Sequence, residues 1–265
     1  MTYSRINVSN KGNLCMTRLN DKTIIIIPIR MDSSRLPGKF HQEIAGKSMV
    51  LHVIDRARES KFTNIFVACD HEDHFKLVSD YGVRAVMTSV DHQSGSDRSY
   101  EALQIIDPEG KFEYILNLQG DMPFFDPETL VKVMHELDED QEADISTMLA
   151  PLNDHDDIHN PNVVNAVFDS HHHAMYFSRL PVPFSMDAEH DHYYKHVGIY
   201  AYRKEALAKY VNLPQSKLEK IEKLEQLRAL ENKMIIRVGI TDDVPISVDT
   251  PEDLEKARQF ALSLK

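Results

Sequence analysis

Two kinds of hydrophobic spacing take turns along this chain. The run TIIIIPI (23–29) is short and continuously apolar, the pattern of a strand buried on both faces. In SMVLHVIDRARES (48–60), Met49, Val53, Ile54 and Ala57 recur at helical spacing and predict an amphipathic helix. NIFVACD (64–70) reads as a second strand, and HEDHFKLVSDYG (71–82) as a helix closed by Gly82. VRAVM (83–87) is a third strand, DRSYEALQII (97–106) a helix, and YILNLQGD (114–121) a fourth strand ending at Asp121. DPETLVKVMHEL (126–137) then opens a helix with Asp126 as N-cap and Pro127 in the first position. Strand and helix in regular alternation predict an α/β fold, a doubly wound and mostly parallel sheet with right-handed crossovers.

The rhythm changes in the middle. ADISTMLA (143–150), VVNAVFD (163–169), AMYFS (174–178) and YYKHVGIYAYR (193–203) are strand-like and close together. They predict antiparallel ribbons, an inserted lobe over about 151–202 that covers a substrate or pairs with a second subunit. Alternation returns with SKLEKIEKLEQLRALEN (216–232), where Leu218, Ile221, Leu224, Leu227 and Leu230 suggest one long helix with an apolar stripe. MIIRVGI (234–240) and ISVD (246–249) follow as strands. TPEDLEKARQFALSL (250–264) closes the chain as a helix capped by Thr250 with Pro251 in its first position. The expected organisation is an extension over 1–20 and a single domain over 21–265. Met16 is an alternative start.

Composition narrows the class. The chain has 265 residues, enough for one sizeable core, and a formal net charge of −12. That balance argues against a nucleic-acid binder held by a broad basic face, though not against a local basic pocket. The two cysteines, Cys15 and Cys69, make neither a disulfide framework nor a zinc spacing, which fits a reducing cytoplasm. No apolar run is long enough to span a bilayer, and the polar N-terminus is not a secretory signal.

Chemistry enters where the strands end. In a doubly wound sheet, ligands bind outside the carboxyl ends of the strands, where strand order reverses. The first strand runs into RMDSSRLPGK (30–39), which carries Arg30, Arg35 and Lys39 together with hydroxyls. Such a loop is suited to polyphosphate oxygens, with Arg acting as a fork and Lys as a point charge. It is neither GxxxxGK[ST] nor GxGxxG, which excludes a Walker loop and weakens a dinucleotide reading. In NLQGDMP (117–123), Asp121 ends a strand, with Gly120 admitting a close ligand. Asp249 ends ISVD in the same way. Two carboxylates so placed suit one Mg²⁺ carrying a polyphosphate. The runs His171–His173 and DHDDIHN (154–160) read as a solvated turn and a surface loop rather than metal sites.

Several separate motifs then share one resemblance. IIIIPIRMDSSRLPGK, DHQSGSDR, NLQGDMP, KHVGIYAYR, EKLEQLRALE and VDTPEDLEKAR, in this order, resemble the 3-deoxy-manno-octulosonate (Kdo) cytidylyltransferases, also called CMP-Kdo synthetases. The resemblance runs from about residue 23 to the end. NPNVVNAV and VPISVDTPEDL are most similar to the alphaproteobacterial branch. It implies a Rossmann-like fold of the nucleotide-diphospho-sugar transferase type with a dimerisation lobe, hence a homodimer. It implies transfer of CMP from CTP to Kdo with release of diphosphate, for lipopolysaccharide biosynthesis, with one or two Mg²⁺ ions as cofactor. The small-molecule partners are CTP and Kdo, and neither nucleic acid nor membrane insertion is expected.

The resemblance also distributes roles. Ile29, Arg30, Ser33, Arg35 and Lys39 would hold CTP along its phosphates. Ser94, Gly95 and Arg98 would meet the base, with Gln119 close by; on the residues alone, Asp97 and Arg98 also read as a helix start with an exposed ion pair. Asp121 and Asp249 would ligate the metal and, with Arg35 and Lys39, make the catalytic set. Gln119, Arg179, His196, Tyr200, Glu225 and Gln226 would hold the acid sugar; His196 and Tyr200 share one strand face by spacing. Four positions depart from the family pattern. Met122 stands for an acidic residue, Ser247 for Gly, Ser96 for Thr and Asn165 for Lys. Rival readings are a synthetase for 8-amino-Kdo or sialic acid, and a catalytically silent nucleotide-binding module.

Overall fold

The computed structural model describes residues 18–31, 33, 35–152, 158–186 and 193–264. Cys15, Met16 and most of DHDDIHN lie outside the described residues. Packing reaches back to Leu19, which is buried in the core, and to Asn20, whose side chain accepts from the Thr63 amide at 3.0 Å.

The elements in chain order are β1 (Thr23–Pro28), β2 (Glu43–Ile44), β3 (Lys47–Ser48), α1 (Met49–Arg58), β4 (Ile65–Cys69), α2 (Glu72–Asp80), β5 (Arg84–Met87), α3 (Gly95–Ile106), β6 (Tyr114–Asn117) and α4 (Glu128–Glu139). Then come β7 (Ile145–Leu152), β8 (Asn165–Phe168), β9 (Ala174–Ser178), β10 (Tyr193–Arg203), α5 (Lys204–Val211), α6 (Lys217–Glu222), α7 (Leu227–Glu231), β11 (Ile236–Ile240) and α8 (Pro251–Ser263). The main sheet has the order β11-β7-β10-β6-β1-β4-β5. β1 is parallel to both β4 and β6, and β4 to β5.

The apolar run of β1 is continuous because both faces are covered. Ile25 and Ile27 join the core cluster of α1, α4 and α8, which includes Val53, Leu130 and Leu254. Ile24 and Ile26 join the opposite cluster, with Leu103 of α3 and Leu207 of α5. Each of these four isoleucines is fully buried, and burial of such a side chain contributes about 2–3 kcal/mol. The chain moves outward from β1 to β4 and β5, then returns to β6 on the other side. That reversal leaves a crevice at the carboxyl ends of β1 and β6.

Several elements differ in part from the sequence expectation. The central strands are antiparallel as expected, but β10 lies in the main sheet between β6 and β7, while β8 pairs with β10 and β9 with β8. The long helix over 216–232 is two short helices, broken at Lys223, whose φ is 56°. Arg179 donates from Nε to the Glu222 carbonyl at 2.9 Å and from Nη2 to the Lys223 carbonyl at 3.4 Å. Those carbonyls would otherwise continue the helical ladder. The predicted stripe breaks with it, leaving Ile221 exposed while Leu224 and Leu227 are buried.

ISVD is not a strand. Ile246 makes one bridge to Phe124, and the Val248 amide donates to the Asp121 carbonyl at 2.9 Å. β6 likewise stops at Asn117, so Asp121 stands beyond the strand rather than on it. The α4 helix starts one residue late, with Pro127 at the N-cap position, although Asp126 still accepts from the Glu128 amide at 3.0 Å. The final helix is as expected, with Thr250 and Asp253 forming a reciprocal capping box.

Candidate active site

A cleft of about 700 Å³ opens at the reversal of strand order. The loop leaving β1 contributes Ile29, Arg30, Ser33, Arg35 and Lys39 to its walls. The segment after β6 contributes Gln119 and Asp121, the start of α3 contributes Ser94, Gly95 and Arg98, and the far side contributes Glu225 and Asp249. Twelve residues scattered over the chain are thereby brought to one cavity.

At its floor, Lys39 joins the two aspartates. Its Nζ donates to Asp121 Oδ2 at 2.6 Å and to Asp249 Oδ1 at 2.8 Å. Arg35 Nη2 lies 3.1 Å from the same Asp249 oxygen. Burial opposes the charge on Lys39, but the two carboxylates outweigh it and raise its pKa. Asp249 is the mirror case, with burial acting upward and Lys39 and Arg35 holding it below the usual carboxylate range. Two carboxylates already converging on one cation fit a hard divalent ion. Among the described residues no cluster of three or more His, Cys, Asp or Glu side chains forms a complete cage. The remaining ligands of such an ion would be phosphate oxygens and water.

Gly120 has a different purpose from the one its position suggests. A Cβ there would fall 2.6 Å from Ile29 Cγ2 and 2.9 Å from Phe40 Cε1. The missing side chain therefore lets the two cleft loops pack against each other, rather than admitting a ligand. The departures also find places. Met122 and Ser96 are buried, Asn165 is fully buried, and Ser247 is exposed. At Met122 the core has taken the place of an acid.

The start of α3 is built by Ser94, whose hydroxyl accepts from the Asp97 amide at 3.1 Å. Arg98 makes no exposed pair with Asp97. It is buried, and donates to Thr88 Oγ1 at 2.7 Å, to the Ser89 carbonyl at 3.1 Å and to Asp70 Oδ2 at 3.3 Å.

The residues expected to hold the sugar divide. Glu225 faces the cleft with Oε1 buried and lacking a hydrogen-bond partner. Burial raises its pKa, and the charge of Arg228 acts the other way. His196 and Tyr200 do not line the cleft; their rings pack against each other at a tilt of 49°, centroids 5.3 Å apart. His196 Nε2 meets Thr147 Oγ1 at 3.0 Å, and burial pushes its imidazole down to about 3, so the ring is neutral. Gln226 is buried at the start of α7. Arg179 does not reach the cleft wall, because its guanidinium is engaged by the carbonyls of Pro161, Glu222 and Lys223.

Sequence reasoning missed two features. Asp70 closes β4 beside β1, and the logic that found Asp121 would have found it. The second is Arg228, paired with Glu219 by two bonds of 2.9 and 2.6 Å in the cleft wall. The helix break hides that pair from any periodicity. The histidine run forms the β8–β9 turn, and His173 is tied to Asp140 at 2.7 Å.

Comparison with known proteins shows the family. The family model described as cytidylyltransferase matches residues 24–236. The 3-deoxy-manno-octulosonate cytidylyltransferase of Rhizobium etli is 46% identical over 244 residues, spanning 91% of this chain and 95% of its own. The protein of the same name from Paramagnetospirillum magneticum is 45% identical over 240 residues, spanning 89% and 96%. Among solved structures, CMP:2-keto-3-deoxy-manno-octonic acid synthetase complexed with CTP is 36% identical, with a TM-score of 0.86 over 92% of this chain and 100% of that one. A 4-diphosphocytidyl-2C-methyl-D-erythritol synthase from Anaerococcus prevotii shares the fold, with a TM-score of 0.60 at 16% identity over 92% and 99%.

Proposed function

The chain belongs to the cytidylyltransferase family and, within it, to the 3-deoxy-manno-octulosonate cytidylyltransferases, and from that premise we infer its reaction. It transfers CMP from CTP to Kdo and releases diphosphate. The product is the activated sugar of lipopolysaccharide biosynthesis. The observation that carries this reading is the meeting of Asp121, Asp249 and Lys39 on one cleft floor, at the reversal of strand order.

The roles follow from charge and reach. The anomeric hydroxyl of the sugar attacks the α-phosphorus of CTP, and diphosphate leaves. Alignment and charge neutralisation dominate such transfers. Arg30, Arg35 and Lys39 supply positive charge along the polyphosphate, while Ile29 and Ser33 complete the loop. Ser94, Gly95 and Gln119 border the space for the cytosine. Glu225 offers an unpartnered carboxylate oxygen to a sugar hydroxyl. His196 and Tyr200 form the neutral recess behind it, and Arg179 and Gln226 support that recess. Asp121 and Asp249 would hold Mg²⁺, which supplies charge neutralisation at the α-phosphate and acidifies the attacking hydroxyl.

A second copy of the chain is the proposed partner. Leu180, Phe184 and Met186 are exposed one after another beyond β9, with Phe184 84% accessible. A surface of that kind favours a symmetric dimer contact. No helix among the described residues is long and apolar enough to cross a membrane. With CTP as substrate, we place the reaction in the cytoplasm.

The test is diphosphate release with CTP, Mg²⁺ and Kdo, beside sialic acid and 8-amino-Kdo. Release with Kdo alone is expected. Release only with another acid sugar would move the specificity to the pocket around Glu225. No release with any sugar from protein that binds CTP would support the silent module instead.

A further inference from the structure

The loop after β1 and the turn that opens α3 are two walls of the cleft, and one carboxylate joins them. Both oxygens of Asp70 lie within hydrogen-bond distance of the Met31 amide, at 2.9 and 3.1 Å. Oδ2 also accepts from Arg98 Nη2 at 3.3 Å. The pair is nearly dry, with side chains 3% exposed for Arg98 and 8% for Asp70. On the other side, His74 Nδ1 lies 3.6 Å from Asp70 Oδ1, and its burial keeps the imidazole neutral. Arg98 is therefore the counter-charge of Asp70.

Arg98 has little surface left for a ligand, since its terminal nitrogens are also held by Thr88 and Ser89. What it steadies is more telling. Met31 follows Arg30, a cleft residue, and Arg30 is close enough for its charge to oppose that of Arg98. A carboxylate that accepts a loop amide and a buried guanidinium together holds both in one geometry.

We propose that Asp70 is a positioning residue for nucleotide binding, pinning the Met31 amide to Arg98 and so fixing the phosphate loop against the start of α3. This rests on the reading of the cleft as a CTP site. The sign of its effect separates positioning from bare charge. Asp70 is an anion beside a site for a polyphosphate. As a bystander it repels CTP, and its neutralisation lowers KM. As a positioning residue its loss loosens the loop, and KM rises.

The experiment measures diphosphate release over a range of CTP at saturating Kdo and Mg²⁺. It compares wild type, Asp70→Asn, Met31→Pro and the double variant. Met31→Pro removes the same amide hydrogen from the loop side and leaves the carboxylate in place. KM for CTP is expected to rise about tenfold or more in each single variant, the loss of a charge-assisted bond. The value of kcat stays within about threefold, since uniform binding is what is lost, and KM for Kdo does not change. The double variant is no worse than the worse single one, because Asp70→Asn strips the charge from, and Met31→Pro removes, one and the same bond. A lowered or unchanged KM in Asp70→Asn, or effects that multiply in the double variant, overturns the proposal. If Asp70→Asn does not fold, Met31→Pro decides alone, and an unchanged KM is then the refuting result. Wild type that releases no diphosphate refutes the CTP and Kdo reading itself, a separate outcome of the same assay.

Discussion

Replacing Lys39 by Met tests the cleft floor without touching either aspartate. Each Lys39 contact, at 2.6 and 2.8 Å, has a gross Coulomb attraction of about 6 kcal/mol at an effective dielectric of about 20. Most of it is offset by desolvation of a side chain that is only 7% exposed, and Asp249, at 40% exposed, is partly screened. Removing the ammonium also leaves two carboxylates facing each other, with Arg35 on Asp249 alone. The net loss is then about 3 kcal/mol, or a fall in Tm of roughly 6–12 °C for a chain of this size. Mg²⁺ should reverse this. In wild type the ion must compete with Lys39 for oxygens of both aspartates, whereas in Lys39→Met only Arg35 still competes, on Asp249. Thermal unfolding without nucleotide, titrated with Mg²⁺, reads both effects. Lys39→Met is expected to have the lower Tm without the ion and the larger rise with it, while diphosphate release stays lost. A Tm that Mg²⁺ raises no more in the variant than in wild type would refute Asp121 and Asp249 as shared metal ligands.

Other expectations concern packing, pairing, pH and assembly. Gly120→Ala places a methyl group 2.6 Å from Ile29 and should destabilise by about 1–3 kcal/mol in urea unfolding, with a raised KM for CTP; an unchanged midpoint would refute the close approach. Glu219→Gln removes the ion-pair partner of buried Arg228, leaving only the nearby Glu225 to offset its charge, and should cost about 3 kcal/mol, read as a lowered Tm, whereas a surface pair would cost under about 1 kcal/mol. Burial lowers the folded pKa of His196 to about 3, so between that value and the ordinary pKa near ~6.5 the unfolded chain binds the extra proton. Stability should therefore rise with pH across that window by up to about 1.4 kcal/mol per unit, and His196→Gln should flatten the slope in unfolding measured from pH 4 to 7. Phe184→Asp should shift light scattering from dimer toward monomer, and a wild-type monomer at working concentration would refute the proposed contact.

Much of the fold is legible in local spacing. The isoleucine run of β1, the face of Met49, Val53, Ile54 and Ala57 in α1, and the Thr250 capping box all fall where periodicity and cap chemistry place them. These features depend on neighbours within a turn or two of the chain, and short-range pattern carries that information. The cationic loop was legible as well, and Arg30, Arg35 and Lys39 all line the cleft at the end of β1. The helix over 216–232 shows the boundary. Its residues favour one continuous helix, but Arg179, more than forty residues away, takes the carbonyls the ladder would need.

What the sequence determined by itself was the alternation of elements, the end of β1 as a cationic loop, and the motifs that mark the family. Which side chains meet depends on how distant segments pack. Lys39 finds Asp121 and Asp249 across 82 and 210 residues. Arg98 turns inward to Asp70, Gly120 makes room for Ile29 and Phe40, and Arg179 props a helix break behind the cleft wall instead of lining it. The physical reason is that spacing along the chain reports which face a residue takes. Strand order and the packing of loops at the sheet's carboxyl edge decide which distant charges share that face, and a charge settles on whichever partner best offsets its burial.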